Sequence, residues 1–189
     1  MLTLSVNKPY IYYLYILYNM NKISALFYRE TAYKNVMKFI ADIMVGKLAK
    51  YLRMSGNDVI YVNTISDEDI LKIAKIQNRI ILTRDTLMLK RKECRTNQIK
   101  SILIKDDKLI NQLKQIKAEL QINLKPNLIR CIDCNTVLEN VKKEDIEDKV
   151  PPYVYKTQEH FLYCRQCGKY YWRGTHYTSI NNVFKILNK

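Results

Sequence analysis

The sequence reads as an α/β domain, a parallel sheet flanked by helices, followed by a small ribbon built on four cysteines. Three observations predict this. Short apolar runs alternate with segments of helical period from Lys38 to Leu120. One of these runs, within Arg79–Thr83, is unbroken Ile-Ile-Leu, the pattern of a strand buried on both faces. Four of the five cysteines fall into two CxxC pairs, at Cys131 and Cys134 and at Cys164 and Cys167.

The elements follow in order. Lys38–Ala41 is a short apolar strand. Val45, Leu48, Ala49 and Leu52 then recur at i, i+3, i+4 and i+7, one face of a helix that Gly56 is placed to stop. Asp58–Val62 is a second strand. The next helix starts at Ser66 as N-cap, with acidic residues in its first turn, where they complement the positive end of the helix dipole. Its stripe of Ile70, Ile73, Ala74 and Gln77 is imperfect. Arg79–Thr83 is the third strand, a basic helical stretch runs through Arg95, and Ser101–Lys105 is the fourth strand. Leu109, Leu113, Ile116 and Leu120 mark a fourth helix. Strands that alternate with helices build a parallel sheet, and functional groups in such sheets gather at the carboxyl ends of the strands.

The 189 residues suffice for one medium domain plus a small module, and 48% hydrophobic content supports a real core, which excludes wholesale disorder. The tyrosine-rich run Pro9–Met20 is shorter than the roughly 20 residues that span a bilayer, and no small-residue cleavage site follows it. Residues 1–36 are therefore expected to lie outside the fold, which starts at Met37, and the protein is expected to be cytoplasmic and free of the membrane.

Net charge is +14. Residues 37–130 carry most of the excess, with 19 basic and 10 acidic side chains, against 9 and 7 in residues 131–189. A basic domain of this kind attracts polyanions, of which nucleic acid is the usual one. A lysine-rich surface that serves only solubility has the same composition.

The carboxylates fall at the expected strand ends. Asp42 follows the first strand, Asp85 closes the third, and Asp106 and Asp107 follow the fourth. Asp67, Glu68 and Asp69 open the second helix on the same edge. Clustered carboxylates repel one another unless a cation sits among them. Mg²⁺ and Mn²⁺ take oxygen ligands and bring a water and a phosphate together. Lys47, Arg84, Lys90 and Arg91 lie close by in sequence to hold a polyanion. Aspartates also cap helices and punctuate loops, and that reading stays open, most strongly for Asp67 and Glu68.

At these residues a resemblance becomes specific. The segments FIADIMVGKLAKYLRMSGNDVIY and DEDILKIAKIQNRIILTRD, with the later cysteine region, resemble the Mut-seven C-terminal RNase domain family from about Met37 to about Ile180. The resemblance implies a PIN-like ribonuclease fold with a zinc ribbon. It places the family's aspartates on Asp42, on Asp85 of a Thr-Arg-Asp motif, and on Asp67, with Asp106 a further acidic candidate. The family's aromatic before a Leu-Arg of the first helix matches Tyr51, Leu52 and Arg53, and its Trp-Gly-Thr-His signature matches Trp172, Gly174, Thr175 and His176. Arg53 is expected among the substrate contacts.

Each CxxC sets two thiolates on a tight turn, and two turns complete a tetrahedral zinc site. Gly168, directly after Cys167, suits the left-handed position of such a turn. The 29-residue spacer is longer than usual. Unpaired core cysteines and a redox dithiol are the competing readings. Four cysteines close the site, so His160 and His176 are not needed as ligands. His176 is then a substrate-contact candidate or a packed histidine. Tyr170, Tyr171 and Trp172 are candidates for base stacking or for an alternating ribbon core.

The expected organisation is an extension over 1–36, a PIN-like domain over 37–128, a zinc ribbon over 129–180 and a tail over 181–189. The expected function is an endoribonuclease that acts on RNA through Mg²⁺ or Mn²⁺ at an acidic site. The alternatives are a noncatalytic RNA-binding module and a protein-interaction adaptor. Motifs of other enzyme classes are missing from the sequence: no Walker A loop, no GxGxxG and no nucleophile elbow.

Overall fold

Four short strands carry the fold of the computed structural model, which describes residues 36–189. Residues 1–35, with the apolar tyrosine-rich run, lie outside the described residues. Strands β1 (Lys38–Ala41), β2 (Asp58–Tyr61), β3 (Ile80–Thr83) and β4 (Ser101–Leu103) form a parallel sheet in the order β2-β1-β3-β4. Between them run α1 (Gly46–Met54), α2 (Asp67–Gln77), and the short pair α3 (Thr86–Lys90) and α4 (Lys92–Arg95). Helix α5 (Leu109–Leu120) follows β4. The parallel sheet flanked by helices is the predicted one.

Side-chain alternation along the strands explains the layers. Phe39 and Ala41 of β1 and Ile80 and Leu82 of β3 face one way, into a core with Leu48, Ala49 and Leu52 of α1 and Leu113 and Ile116 of α5. Ile40 and Ile81 face the other way, onto Ile70 and Ala74 of α2 and Met88 of α3. Of the imperfect stripe on α2, Ile70 and Ala74 are buried, Ile73 is half-buried and Gln77 is exposed.

Local chemistry sets the boundaries. The Ser66 hydroxyl caps α2 by accepting from the Asp69 N–H. Gly56 adopts φ +86°, and a Cβ there would also run into the Asn127 side chain. The basic stretch breaks into two helices at Arg91, whose extended backbone lets Met88 and Cys94 both reach the second core.

The second sheet is antiparallel, in the order β5-β6-β7, from β5 (Glu139–Val141), β6 (Phe161–Tyr163) and β7 (Tyr170–Tyr171). A 3-10 helix at Lys143–Lys149 and helix α6 (Pro152–Thr157) fill the long spacer, and Ile146, Val150 and Phe161 give it its own apolar cluster. Residues 181–189, expected as a tail, instead complete helix α7 (Thr175–Leu187). Phe184 and Leu187 are buried in the main core, with the Phe184 ring 5.9 Å from that of Tyr51. Their spacing, with Ile180 and Val183, is helical and apolar, which is why the segment packs.

One side chain ties the two sheets together. Arg53, expected among the substrate contacts, is only 2% exposed. Its Nε donates to the Val59 carbonyl at 2.9 Å, and its Nη1 donates to the Ile132 and Asp133 carbonyls at 2.9 and 2.7 Å. Arg53 sits one turn after Ala49, on the apolar face of α1, so the helix aims it inward. Its donors are engaged with these carbonyls, which makes it a structural staple. Replacing Arg53 with Met removes these donors and leaves three carbonyls without them, that of Val59 fully buried. We expect a loss of roughly 3–5 kcal/mol in urea unfolding.

Candidate active site and thiol cluster

The strand register brings the rim residues together. Ala41 pairs with Leu82, so Asp42 comes level with Thr83 on the neighbouring strand. Asp42 is only 7% exposed, and a buried carboxylate must find donors. Three are present. The Met44 N–H donates to Oδ1 at 2.8 Å, while the Thr83 hydroxyl and the Arg84 N–H donate to Oδ2. Thr83 Oγ1 also accepts from the Asp85 N–H at 2.8 Å. Thr83 therefore links the two aspartates. The Asp85 carboxylate caps α3 by accepting from the Leu87 N–H at 2.8 Å.

The other acidic candidates lie further along the same edge. Asp67 opens α2, half-buried. Asp106 accepts from the Lys108 N–H and the Asn111 amide, and these bonds hold its carboxyl below the usual carboxylate range. Glu68 forms an exposed ion pair with Arg91 at 2.8 Å. Lys47 and Lys90 are exposed, and Arg84 is half-buried beside Asp42. The His176 side chain is not among those described. Among the described residues, no three carboxylates lie close enough to chelate a single ion; the four cysteines are the group that does.

The thiol cluster is built from two matching turns. The Cys131 N–H donates to the Thr136 carbonyl and the Asn135 N–H to the Cys131 carbonyl, at 2.8 and 3.0 Å. The Cys164 N–H donates to the Lys169 carbonyl and the Gly168 N–H to the Cys164 carbonyl, both at 2.9 Å. The residue after each pair is left-handed, Asn135 at φ 68° and Gly168 at φ 71°. The four sulfurs lie within 4.8 Å of one another, with Cys134 3.3 Å from Cys164 and Cys131 3.6 Å from Cys167. A tetrahedral zinc with bonds of about 2.3 Å sets its sulfurs about 3.8 Å apart, so the donor set and spacing fit such an ion. The Tyr171 hydroxyl lies 3.0 Å from the Cys131 sulfur; burial and that sulfur raise its pKa. Tyr171 thus faces the thiols, while Tyr170 and Trp172 pack on the Phe161 cluster. The three residues alternate as a ribbon strand does.

Sequence reasoning missed a polar seam beside this cluster. The Asn135 amide accepts from the Val59 N–H at 3.0 Å and donates to Asp58 at 2.7 Å. Asp58 also binds Arg79 through both oxygens, at 2.8 and 3.2 Å. Burial alone would raise the Asp58 carboxyl, but the bonds from Arg79 and Asn135 outweigh it and hold its pKa down. The signal was available: Asn135 occupies the same left-handed place as Gly168, a place that asparagine tolerates.

The Mut7-C RNAse domain model matches residues 37–184 of the sequence. The chain belongs to that family. The matched span takes in the sheet, the thiol cluster and Phe184 of α7. No curated protein and no solved structure matches the chain. The family gives the Mut7-C RNAse domain a ribonuclease-like role, and among its described residues no helix is long and apolar enough to cross a membrane.

Without metal, the four thiols of this Mut7-C domain hold their protons unequally. Burial works to raise all those shifted; at Cys134 the hydrogen bonds from Thr136 win and lower its pKa to about 6. Burial pushes Cys167 up to about 12, and Cys164 is raised by the same cause. Cys164 and Cys167, whose pKa values are raised, must each release a proton to bind a cation. Calorimetric titration with a divalent soft metal, repeated in buffers of different ionisation enthalpy, should find at least two protons released per ion. Apparent affinity should rise with pH through the neutral range.

Proposed function

We propose that this Mut7-C RNAse domain is a metal-dependent endoribonuclease whose acidic site centres on Asp42 and Asp85. One observation carries the reading: Thr83 links two aspartates at adjacent parallel strand ends, and Asp42 is held as a buried carboxylate with no cationic partner among the described residues. Two carboxylates with oxygen donors only are the set that Mg²⁺ or Mn²⁺ takes alongside water and phosphate oxygens. When bound, such an ion would stabilise charge developing on a scissile phosphate and lower the pKa of an attacking water. The chain itself supplies orientation. Thr83 fixes the Asp42 carboxylate, the α3 N-terminus fixes that of Asp85, and Lys47, Arg84 and Lys90 attract the phosphate backbone. Asp67 is proposed as the third acidic member, with Asp106 the weaker candidate.

The four thiols are proposed to hold one structural Zn²⁺, closed by Cys131, Cys134, Cys164 and Cys167. The charge excess and the family support cytoplasmic action on RNA. A second reading, a noncatalytic RNA-binding module, is favoured by no three carboxylates gathering among the described residues.

Asp85→Asn separates the two. Asparagine is as good a helix cap as aspartate, so α3 should survive and folding should be unharmed. Cleavage of RNA in Mg²⁺ or Mn²⁺ should fall roughly 100-fold or more while RNA binding persists. Unchanged cleavage in both Asp42→Asn and Asp85→Asn would remove the assigned site. A wild type that binds RNA but cleaves none in either metal would leave the binding-module reading.

Elemental analysis should find one zinc per chain, and Cys164→Ser should abolish it. Structural zinc is worth roughly 10–16 kcal/mol in small peptides, so the ribbon should unfold in that variant. Stoichiometric zinc retained without Cys164 would overturn the tetrathiolate assignment.

A further inference from the structure

Two cavities flank the first CxxC turn, and Asp133 lines both. The larger, about 780 Å³, begins beside Asp42, because Ile43 and Met44 form its near wall. The smaller, about 490 Å³, lies on the ribbon, against Tyr170 and Trp172. We propose that a single strand of RNA runs through both, from the acidic rim, along α1, past Asp133 and onto the ribbon's aromatic face. The inference rests on RNA being the substrate and names the form of RNA and its path.

The wall chemistry selects the occupant. Ile43, Met44 and Val62 are 59%, 54% and 48% exposed and all line the larger cavity. Single exposed apolar side chains are ordinary on a surface, but three along one cleft beside lysines are a recognition surface. Duplex RNA offers phosphates and 2′-hydroxyls but keeps its base faces stacked away, so an apolar wall gains nothing from it. An unstacked strand offers both base faces and phosphates. Lys47 and Lys50 line the larger cavity, and Lys149 and Lys169 the smaller, so cations continue along the whole path. The phenol end of Tyr61 lies against Gly46, where any Cβ would collide with it, and Tyr61 lines the cleft.

Asp133 makes the path a switchable one. Its carboxylate sits 3.9 Å from Lys50 and also bonds Lys169. One aspartate thus occupies one lysine from each cavity. It stands where a phosphate between the two cavities would sit, and an incoming strand must displace it. Asp133 therefore weakens RNA binding while keeping the free protein's lysines paired.

The test is fluorescence anisotropy with a labelled oligouridylate of about ten nucleotides, without Mg²⁺ or Mn²⁺, across a salt series. Lys47→Ala with Lys50→Ala, and separately Lys149→Ala with Lys169→Ala, should each weaken binding several-fold. Each lost phosphate contact should flatten the slope of log K against log salt by about 0.7. Asp133→Asn should tighten binding and steepen that slope, because Lys50 and Lys169 would then shed counterions on binding. A duplex of equal length should compete poorly. Circular dichroism and metal content identical to wild type would exclude misfolding of the variants. If wild type binds the oligonucleotide and either lysine pair proves irrelevant, the track is overturned and RNA as substrate survives. Weaker binding by Asp133→Asn, or equal competition by duplex, overturns it also. A wild type that binds no RNA overturns both.

Discussion

The buried guanidinium of Arg53 is the constraint on which the rest of the structure depends. A cation taken out of water needs fixed acceptors, and Arg53 finds three carbonyls, one on strand β2 and two on the first CxxC turn. Burial lowers its pKa, and the nearby Cys131 and Cys134 sulfurs oppose that shift, followed by Asp133 and Asp58. Four thiolates around one divalent ion carry a net charge of about −2, and a charge of that size inside a protein needs a counterion. Arg53 is placed to serve as one. With such an ion bound, the thiol cluster and the arginine would stabilise each other. The same contacts protect the sheet. β2 is an edge strand, and its outward Val59 N–H and carbonyl are taken by Asn135 and Arg53. The ribbon acts as a polar cover for an edge that would otherwise invite another chain.

From that anchoring the rim geometry follows. Holding β2 fixes Tyr61 and Val62 at its end, and holding α1 fixes Lys47 and Lys50 along its exposed side. The ribbon turn supplies Asp133 opposite them. One wall of the cleft beside Asp42 therefore belongs to the sheet and another to the ribbon. The acidic residues themselves depend on something more local. Asp42 keeps its buried carboxylate because parallel register sets Thr83 and the Arg84 N–H beside it, and no ribbon contact enters that arrangement.

How much of this was legible depends on the range of the interaction. Strand and helix periods, the Ser66 cap and the Gly56 stop are local, and they read directly from residues a few positions apart. The thiol cluster was legible across 29 spacer residues because two CxxC turns admit few other uses. Arg53 was misread because a basic residue on a helix usually points to water. Its place one turn beyond Ala49, on the apolar stripe, was the available warning. The boundary expected at residue 181 falls inside α7, and only the packing of Phe184 on Tyr51 shows where that segment belongs. The link through Thr83 between Asp42 and Asp85 depends on strand order, which no local pattern encodes. The bond of Asn135 to Asp58 is equally invisible, since 77 residues separate the two.

The charge excess also divides along these lines. Arg53 and Arg79 are buried and Arg130 nearly so, all engaged with carbonyls, Asp58 or the Asn135 carbonyl. Arg91 spends its charge on Glu68 at the surface. A planar guanidinium with several fixed donors suits such internal joints, where direction matters more than charge. The exposed excess around the cleft is carried by lysines, which are strongly hydrated point charges on flexible stems. Such groups follow a phosphate backbone without reading bases. Arg53, Arg79 and Arg130 thus serve internal joints, and the lysines along the cleft supply field outside them. The basic composition therefore splits into a structural share and a share free to meet a polyanion.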